Sequence, residues 1–412
     1  MTSTTMCAQT IGGVPASELA ERYGTPLHVI DTQEFELEID RFQRAFGARG
    51  MSVGYAAKAF LCIALAELIA HTRLRLDVCS LGELITAERG GVPAQRIYFH
   101  GCGKSDAELA AIVEGRVAFD VIDNAEELER LAELAREAGP VDVMLRINTG
   151  IEAHTHEYVR TGGENTKFGF GSADIGAIFE RLRELPQLRL MGLHSHIGSG
   201  IVDAQPFIDN LELLVAWADA ARHAGHPVAE LIAGGGIGVE SIPGDARPLD
   251  FEFLAHALAE RAHGAGYRAA IEPGRALIAR AGSSLYRVVS VKRQGRRRFI
   301  IVDGGMADNP RPALYGAYHH LDVLASAAVG APEPATLCGR SCENDELGEV
   351  VVAADIRAGD LVALRTTGAY TYSMASNYNR FGRPPVVFVA DGSHRRAVRG
   401  ELPHDVLKND LG

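Results

Sequence analysis

From about residue 50 the chain alternates two patterns: short runs rich in β-branched and aromatic residues, and longer stretches whose apolar residues recur every three or four positions. The runs read as strands and the stretches as amphipathic helices. Eight strand runs stand in series: "SVGYAAK" (52–58), "RLDVCS" (75–80), "RIYFHG" (96–101), "AFDVID" (118–123), "DVMLRIN" (142–148), "LMGLHSHIGS" (190–199), "ELIAGGGIG" (230–238) and "AAIEPGRA" (269–276). A polar turn and a helical pattern follow each, the last helix being short. Eight consecutive βα units predict a (β/α)8 TIM barrel, with strands buried on both faces and an active site at their carboxyl ends. The periodicity alone also fits an open doubly wound sheet.

After about residue 280 the rhythm changes. "SLYRVVSVKR", "RRFIIVDGG", "EVVVAADI", "DLVALRTT" and "PPVVFVADG" are strand patterns separated by turns, without helices of comparable length. They predict a second, mostly antiparallel β domain. "TPLHVIDT" (25–32) is a further strand outside the barrel series. The expected division is an N-terminal segment, 1–32, that joins the β domain, a barrel at 33–280 and a C-terminal β domain at 281–412.

Composition narrows the class. With 412 residues, 47% hydrophobic and 23% charged, the chain is an ordinary globular protein long enough for two domains. Its formal charge is −12, and basic residues are scattered apart from "KRQGRRR", Lys292 to Arg298. That run, between two strand patterns, reads as the solvated face of a hairpin, so no nucleic-acid partner is expected. The six cysteines form no CxxC pair, and no apolar stretch reaches about 18 residues. The residues before Cys7 read as a loose end without a secretory leader. The expectation is a cytoplasmic protein with no membrane contact.

Polar residues at the carboxyl ends of barrel strands are the candidates for chemistry. Lys58 ends the first run. A strand-end lysine is commonly a solvated charge, but one drawn into a barrel mouth can form a Schiff base. Gly234, Gly235, Gly236 and Gly238 read as a tight turn and lack the dinucleotide-binding spacing. With Ser199 nearby, their bare backbone N–H groups can cradle a phosphate ester instead. His194 and His196, with His154 and His156 of "HTH", offer a zinc site as the rival reading. Glu272 separates the two. Opposite a lysine, a phosphate cradle and an imidazole, a carboxylate keeps a pyridine nitrogen protonated. These pieces together describe a site for pyridoxal 5'-phosphate (PLP) and need no metal.

At this point the sequence closely resembles the diaminopimelate decarboxylases, PLP enzymes with a barrel and a C-terminal β domain. The resemblance runs from "YGTPLHVID" (23–31) to "SNYNRFGRPPVV" (376–387). It rests on "YAAKAF", "DVCSLGEL", "HTHEYVRTGGENTKFGF", "GLHSHIGS", "GGGIG", "EPGR", "RPALYGAYH", "CENDE" and "GAYTYSMASNYN" in combination. It implies that Lys58 carries PLP, that His196 stacks on its ring and that Glu272 faces the pyridine nitrogen. Ser199, the 234–238 glycines and Tyr370 would hold the phosphate. Arg275, Arg311 and Tyr315 would recognise the distal end of the substrate. Cys342 and Glu343 would come from the second subunit of a homodimer, Cys342 as proton donor. The family commonly reads "CESGD" where this chain has "CENDE", so Asn344 and Glu346 stand where a small hydroxyl residue and an aspartate are usual.

The implied reaction is decarboxylation of meso-2,6-diaminopimelate to L-lysine and carbon dioxide. Two alternatives stand beside it. One is a PLP decarboxylase of another basic or carrier-tethered amino acid, suggested by "CENDE". The other, from a different class, is a metal-dependent barrel hydrolase built on the histidines.

Overall fold

The computed structural model describes residues 10–151, 166–240, 249–326 and 328–411. The chain divides into two compact units, one of Ile39–Val239 with Ala246–Ala276, the other of Met1–Glu38, Glu240–Asp245 and Leu277–Gly412.

In the first unit eight parallel strands close into a barrel: Ser52–Ala56, Arg75–Val78, Ile97–Phe99, Phe119–Ile122, Val141–Arg146, Leu188–His194, Glu230–Ile232 and Arg268–Ile271. The eighth strand pairs with the seventh and also with the first, Ala270 opposite Ser52, so the open-sheet alternative is excluded. Most of these strands carry apolar residues on both faces because the barrel interior lies on one side and the helices on the other. Tyr98, Val121, Met144, Ile232 and Ala270 pack together as a buried cluster of strand residues. At the amino-terminal ends of the second and seventh strands, Arg75 Nη1 meets the buried Glu230 Oε1 at 2.6 Å, its guanidinium lying over the Tyr98 ring.

Side-chain caps help the helices begin soon after the strands end. Ser80 and Asn124 accept hydrogen bonds from Glu83 N and Glu127 N, and Ser105 forms a reciprocal capping box with Glu108. These satisfy backbone N–H groups that a first helical turn leaves unpaired. The strands are shorter than the runs suggested. "ELIAGGGIG" stops pairing at Ile232, because Gly234 (φ +72°) and Gly236 (φ +92°) leave the β region. The eighth strand is followed only by the short helix Arg275–Ile278.

The second unit is a nine-stranded sheet, mostly antiparallel. Its longest strand, Gly282–Gln294, pairs with Leu27–Asp31 and Leu361–Arg365 through its first half and with Arg297–Val302 through its second. The N-terminal strand Leu27–Asp31 also pairs in parallel with Val386–Ala390. Strands at Leu321–Ala325, Pro332–Cys338 and Ser393–Val398 were not legible as strand patterns. The "KRQGRRR" run does form a hairpin, turning at Gly295 with Gln294 opposite Arg297. It is not wholly solvated: Arg298 is buried, donating from Nη2 to the carbonyls of Ala353 (2.9 Å) and Ala354 (3.1 Å). Among the described residues, no helix is long and apolar enough to cross a membrane.

Candidate active site

Several barrel strands deliver polar groups near their carboxyl ends. Lys58 lies two residues beyond Ala56, the last residue of the first strand, on the 3-10 turn Ala57–Ala59. Its neighbours Ala57 and Ala59 are buried while Lys58 is exposed, so the turn anchors the backbone and frees the amine. Its positive charge reaches Asp77, Cys79, Glu83 and His196.

Glu272 follows the eighth strand and is buried. Its backbone N–H donates to Gly234 O at 2.8 Å, which ties it to the glycine run. One carboxylate oxygen, Oε2, lies 3.0 Å from His194 Nε2, and because a carboxylate can only accept, the imidazole N–H donates. The other, Oε1, lies 3.5 Å from His100 Nε2, too long for a good hydrogen bond, and has no hydrogen-bond partner among the described residues. Burial alone would raise this carboxyl; the His100 and His194 imidazoles outweigh it and hold Glu272 well below the usual carboxylate range. Burial lowers His194 to about 4, so it donates as a neutral ring at neutral pH. Asp77, near the end of the second strand, behaves in the opposite way: burial, then the charge of Glu272, push it well above the carboxylate range. Gly54 lies beside both acids, since an added Cβ would sit 2.9 Å from Asp77 Oδ1 and 3.3 Å from Glu272 Cγ.

His196 follows the sixth strand and accepts from Gly235 N–H at Nδ1, 3.2 Å away. Burial, and then the Lys58 charge, hold it well below the usual histidine value. The glycines are demanded first by packing. An added Cβ at Gly235 would lie 1.9 Å from Glu272 O, and at Gly236 1.9 Å from Gly198 O. The seventh-strand loop therefore lies directly against the loops after strands six and eight. An added Cβ at Gly238 would be tight as well, 3.0 Å from Val202 Cγ1. Ser199, in the loop after strand six, has its Oγ 3.5 Å from Arg275 Nη2 at the start of the short eighth helix.

The remaining candidates belong to the β unit and are described within it. Arg311 and Tyr315 begin and end one helical turn, a spacing that sets both on one face. Tyr370 holds φ +60°, a left-handed conformation costly for a side chain of its size and characteristic of functional sites. Cys342 and Glu343 are exposed. The backbone N–H of Cys342 donates to Asn379 Oδ1 at 3.0 Å, and Tyr378 Oη donates to Glu343 Oε1 at 2.6 Å. Asn379 and Arg380 are themselves left-handed, at φ +51° and +59°. Asp345 is buried and accepts from Met306 N (2.7 Å), Ser341 N (3.2 Å) and Ser341 Oγ (2.7 Å).

Residues 32–279 match the family model for the pyridoxal binding domain of pyridoxal-dependent decarboxylases. A diaminopimelate decarboxylase of Actinosynnema pretiosum is 41% identical, the match covering 97% of this chain and 92% of that protein. The chain belongs to the diaminopimelate decarboxylase family. The Bacillus subtilis member is 40% identical over 97% of this chain and 94% of its own length. Among solved structures, the Helicobacter pylori family member complexed with L-lysine superposes with a TM-score of 0.90 at 28% identity, covering 95% of this chain and 98% of that one.

The residues present fit PLP, the cofactor of this family. A buried, ionised carboxylate with one oxygen lacking a donor suits a protonated ring nitrogen, and an exposed lysine amine stands at the same barrel end. Of the histidines in the zinc reading, only His194 belongs to a metal-competent group among the described residues. His194 groups with His100 and Glu272, their ligand atoms within 4.8 Å of one another, and His196 is not among them. His154 and His156 lie outside the described residues.

His100, Asp77, Asp345, Tyr378 and Asn379 were not singled out from the sequence. The first two stood in the runs "RIYFHG" and "RLDVCS", where the strand-end signal that picked out His194 applied equally. For Tyr378 and Asn379 no sequence signal marks the left-handed turn that brings them to Cys342.

Proposed function

We propose that the chain removes the carboxylate from the D-configured carbon of meso-2,6-diaminopimelate, giving L-lysine and carbon dioxide. The observation that carries this reading is Glu272: buried, ionised and short of one donor, at the barrel end that also presents Lys58. The bond between the α-carbon and its carboxylate breaks, the carboxylate carbon leaves as carbon dioxide, and the electron pair left behind takes up a proton. PLP, when bound, supplies the electron sink for that pair.

Lys58 would hold the cofactor's carbonyl carbon and His196 would contact its ring. Glu272 would accept from the ring nitrogen and keep it protonated. Ser199, Gly234, Gly235, Gly236, Gly238 and Tyr370 hold the phosphate. Arg275 and Arg311 pair with the distal carboxylate of the substrate, where a guanidinium fork gives two parallel hydrogen bonds, and Tyr315 lies on the Arg311 face. Glu343 takes the distal ammonium. The Cys342 thiol delivers the proton to the α-carbon, since a thiol is a competent acid near neutral pH.

The working unit is a homodimer in which Cys342 and Glu343 complete the partner's site; their exposure on the β unit supports this. The altered "CENDE" segment keeps both residues, and the buried Asp345 staples the loop that carries them. Among the described residues, Cys62, Cys79, Cys102, Cys338 and Cys342 form no disulfide, which suits a reducing, cytoplasmic setting. Borohydride reduction of the PLP-loaded protein should leave a pyridoxyl group on the peptide containing Lys58. Mixing inactive Lys58→Ala and Cys342→Ala proteins should restore roughly a quarter of wild-type activity, because half the dimers then carry one intact site. A label elsewhere, or no recovery on mixing, rejects the respective assignment.

A further inference from the structure

We propose that His100 and His194 are positioning residues that hold Glu272 as a single fixed acceptor for the cofactor's ring nitrogen. The inference deepens the PLP reading and rests on it. Glu272 is gripped from two directions. Its backbone is pinned to Gly234, and its Oε2 takes the proton of His194 Nε2 at 3.0 Å. His100, whose backbone N–H donates to Val78 O at 2.7 Å, brings its Nε2 to 3.5 Å from Oε1. The two imidazoles meet edge to face, with centroids 4.9 Å apart and planes at 69°, so neither ring turns without moving the other.

This arrangement settles two things about the carboxylate. Its rotation is fixed, because the His194 bond commits Oε2 and leaves Oε1 as the oxygen without a hydrogen bond. His194 leaves its charge uncompensated, because a neutral imidazole donates a hydrogen bond without supplying a cation. Asp77, which shares the space beside Gly54, is pushed upward by burial and by the Glu272 charge, the opposite direction from Glu272 itself. The cation this carboxylate lacks is the protonated ring nitrogen. A cationic histidine in either position would compete with that nitrogen. Nδ1 of His194 has no hydrogen-bond partner among the described residues, which agrees with a neutral ring carrying its proton on Nε2.

The test uses the full-length protein loaded with PLP labelled with 15N in its ring. His194→Leu and His100→Leu remove the donors and keep apolar bulk; His194→Gln keeps an N–H near the position of Nε2. In His194→Leu the 15N resonance should move from the protonated toward the neutral position. PLP should bind roughly tenfold more weakly, and kcat should fall at least about tenfold, with KM for meso-diaminopimelate changing less than about threefold; this is the scale of one lost hydrogen bond to a charged acceptor. His194→Gln should recover most of the shift. His100→Leu should give the same signs at smaller size, and because His100 is partly exposed it tests the inference even if His194→Leu does not fold. An unchanged 15N resonance and PLP affinity in the folded variants overturns it. Failure of wild-type protein to bind PLP at all would instead overturn the reading on which it rests.

Discussion

Replacing Gly235 by alanine tests whether the barrel mouth is held by backbone contact. An ideal Cβ there would lie 1.9 Å from Glu272 O, 2.7 Å from Glu272 C and 3.3 Å from Pro273 N. All three are backbone atoms, so no side chain can swing away. Reaching an ordinary separation of about 3.5 Å means opening the two loops by roughly 1.5 Å. The loops resist, since Glu272 N donates to Gly234 O at 2.8 Å and Ala233 N to Ala270 O at 3.0 Å. The expected cost is about 3 kcal/mol, the upper part of the range for overpacking because the obstacle is main chain. Because the displaced residue is Glu272, PLP should also bind at least about tenfold more weakly. Gly176 is the control: exposed in the helix Ile175–Arg183 with open space at its Cβ, it should gain up to about 1 kcal/mol as alanine. Urea unfolding monitored by circular dichroism and PLP titration by visible absorption read both effects. A Gly235→Ala protein with wild-type midpoint and wild-type PLP affinity would refute the packing account.

Three further outcomes are expected. Tyr378→Phe removes the hydrogen bond to Glu343 Oε1, so KM for meso-diaminopimelate should rise roughly three- to tenfold with PLP affinity unchanged; steady-state kinetics showing an unaltered KM would count against it. Asp77→Asn removes a carboxyl that burial and the Glu272 charge push upward and should hold kcat within about twofold, whereas Glu272→Gln should lose about a hundredfold or more; equal losses would contradict the opposite shifts of the two acids. Burial lowers His28 from 6.5 to about 4, and its Nδ1 lies 2.9 Å from Ser284 Oγ. Its folded pKa is depressed, so between pH 6.5 and 4 the unfolded chain binds the extra proton, and the stability present above pH 6.5 is lost as pH falls toward 4. The stability difference between wild type and His28→Asn should therefore shrink by up to about 3 kcal/mol over that interval, and urea titrations giving a constant difference would reject it.

Much of the barrel was legible because buried parallel strands are short apolar runs and several were followed by helices with side-chain caps. The strand ends were less legible. The sequence places Lys58, His196 and Glu272 at the ends of their runs but does not tell which neighbours they meet, and Glu272 meets His100 and His194 from other strands. The glycine run shows the same limit. Its phosphate reading needs only local spacing, whereas its packing role depends on Glu272 and Gly198, which approach only once the barrel closes. In the β unit, Pro332–Cys338 was missed because two prolines in seven residues argue against a central strand, yet it pairs on both sides. The "CENDE" departure looked like a change of substrate pocket. Of its two departing residues, Glu346 pairs with Arg297, and Asp345 between them accepts from Ser341 and ties the loop down.

The most direct test of the central claim is carbon dioxide release by the PLP-loaded protein, comparing meso-diaminopimelate with ornithine, lysine and arginine at equal concentration. Release from meso-diaminopimelate alone, with L-lysine as product and complete loss in Lys58→Ala, is the predicted result. Release only from another amino acid, or release that survives Lys58→Ala, would contradict it.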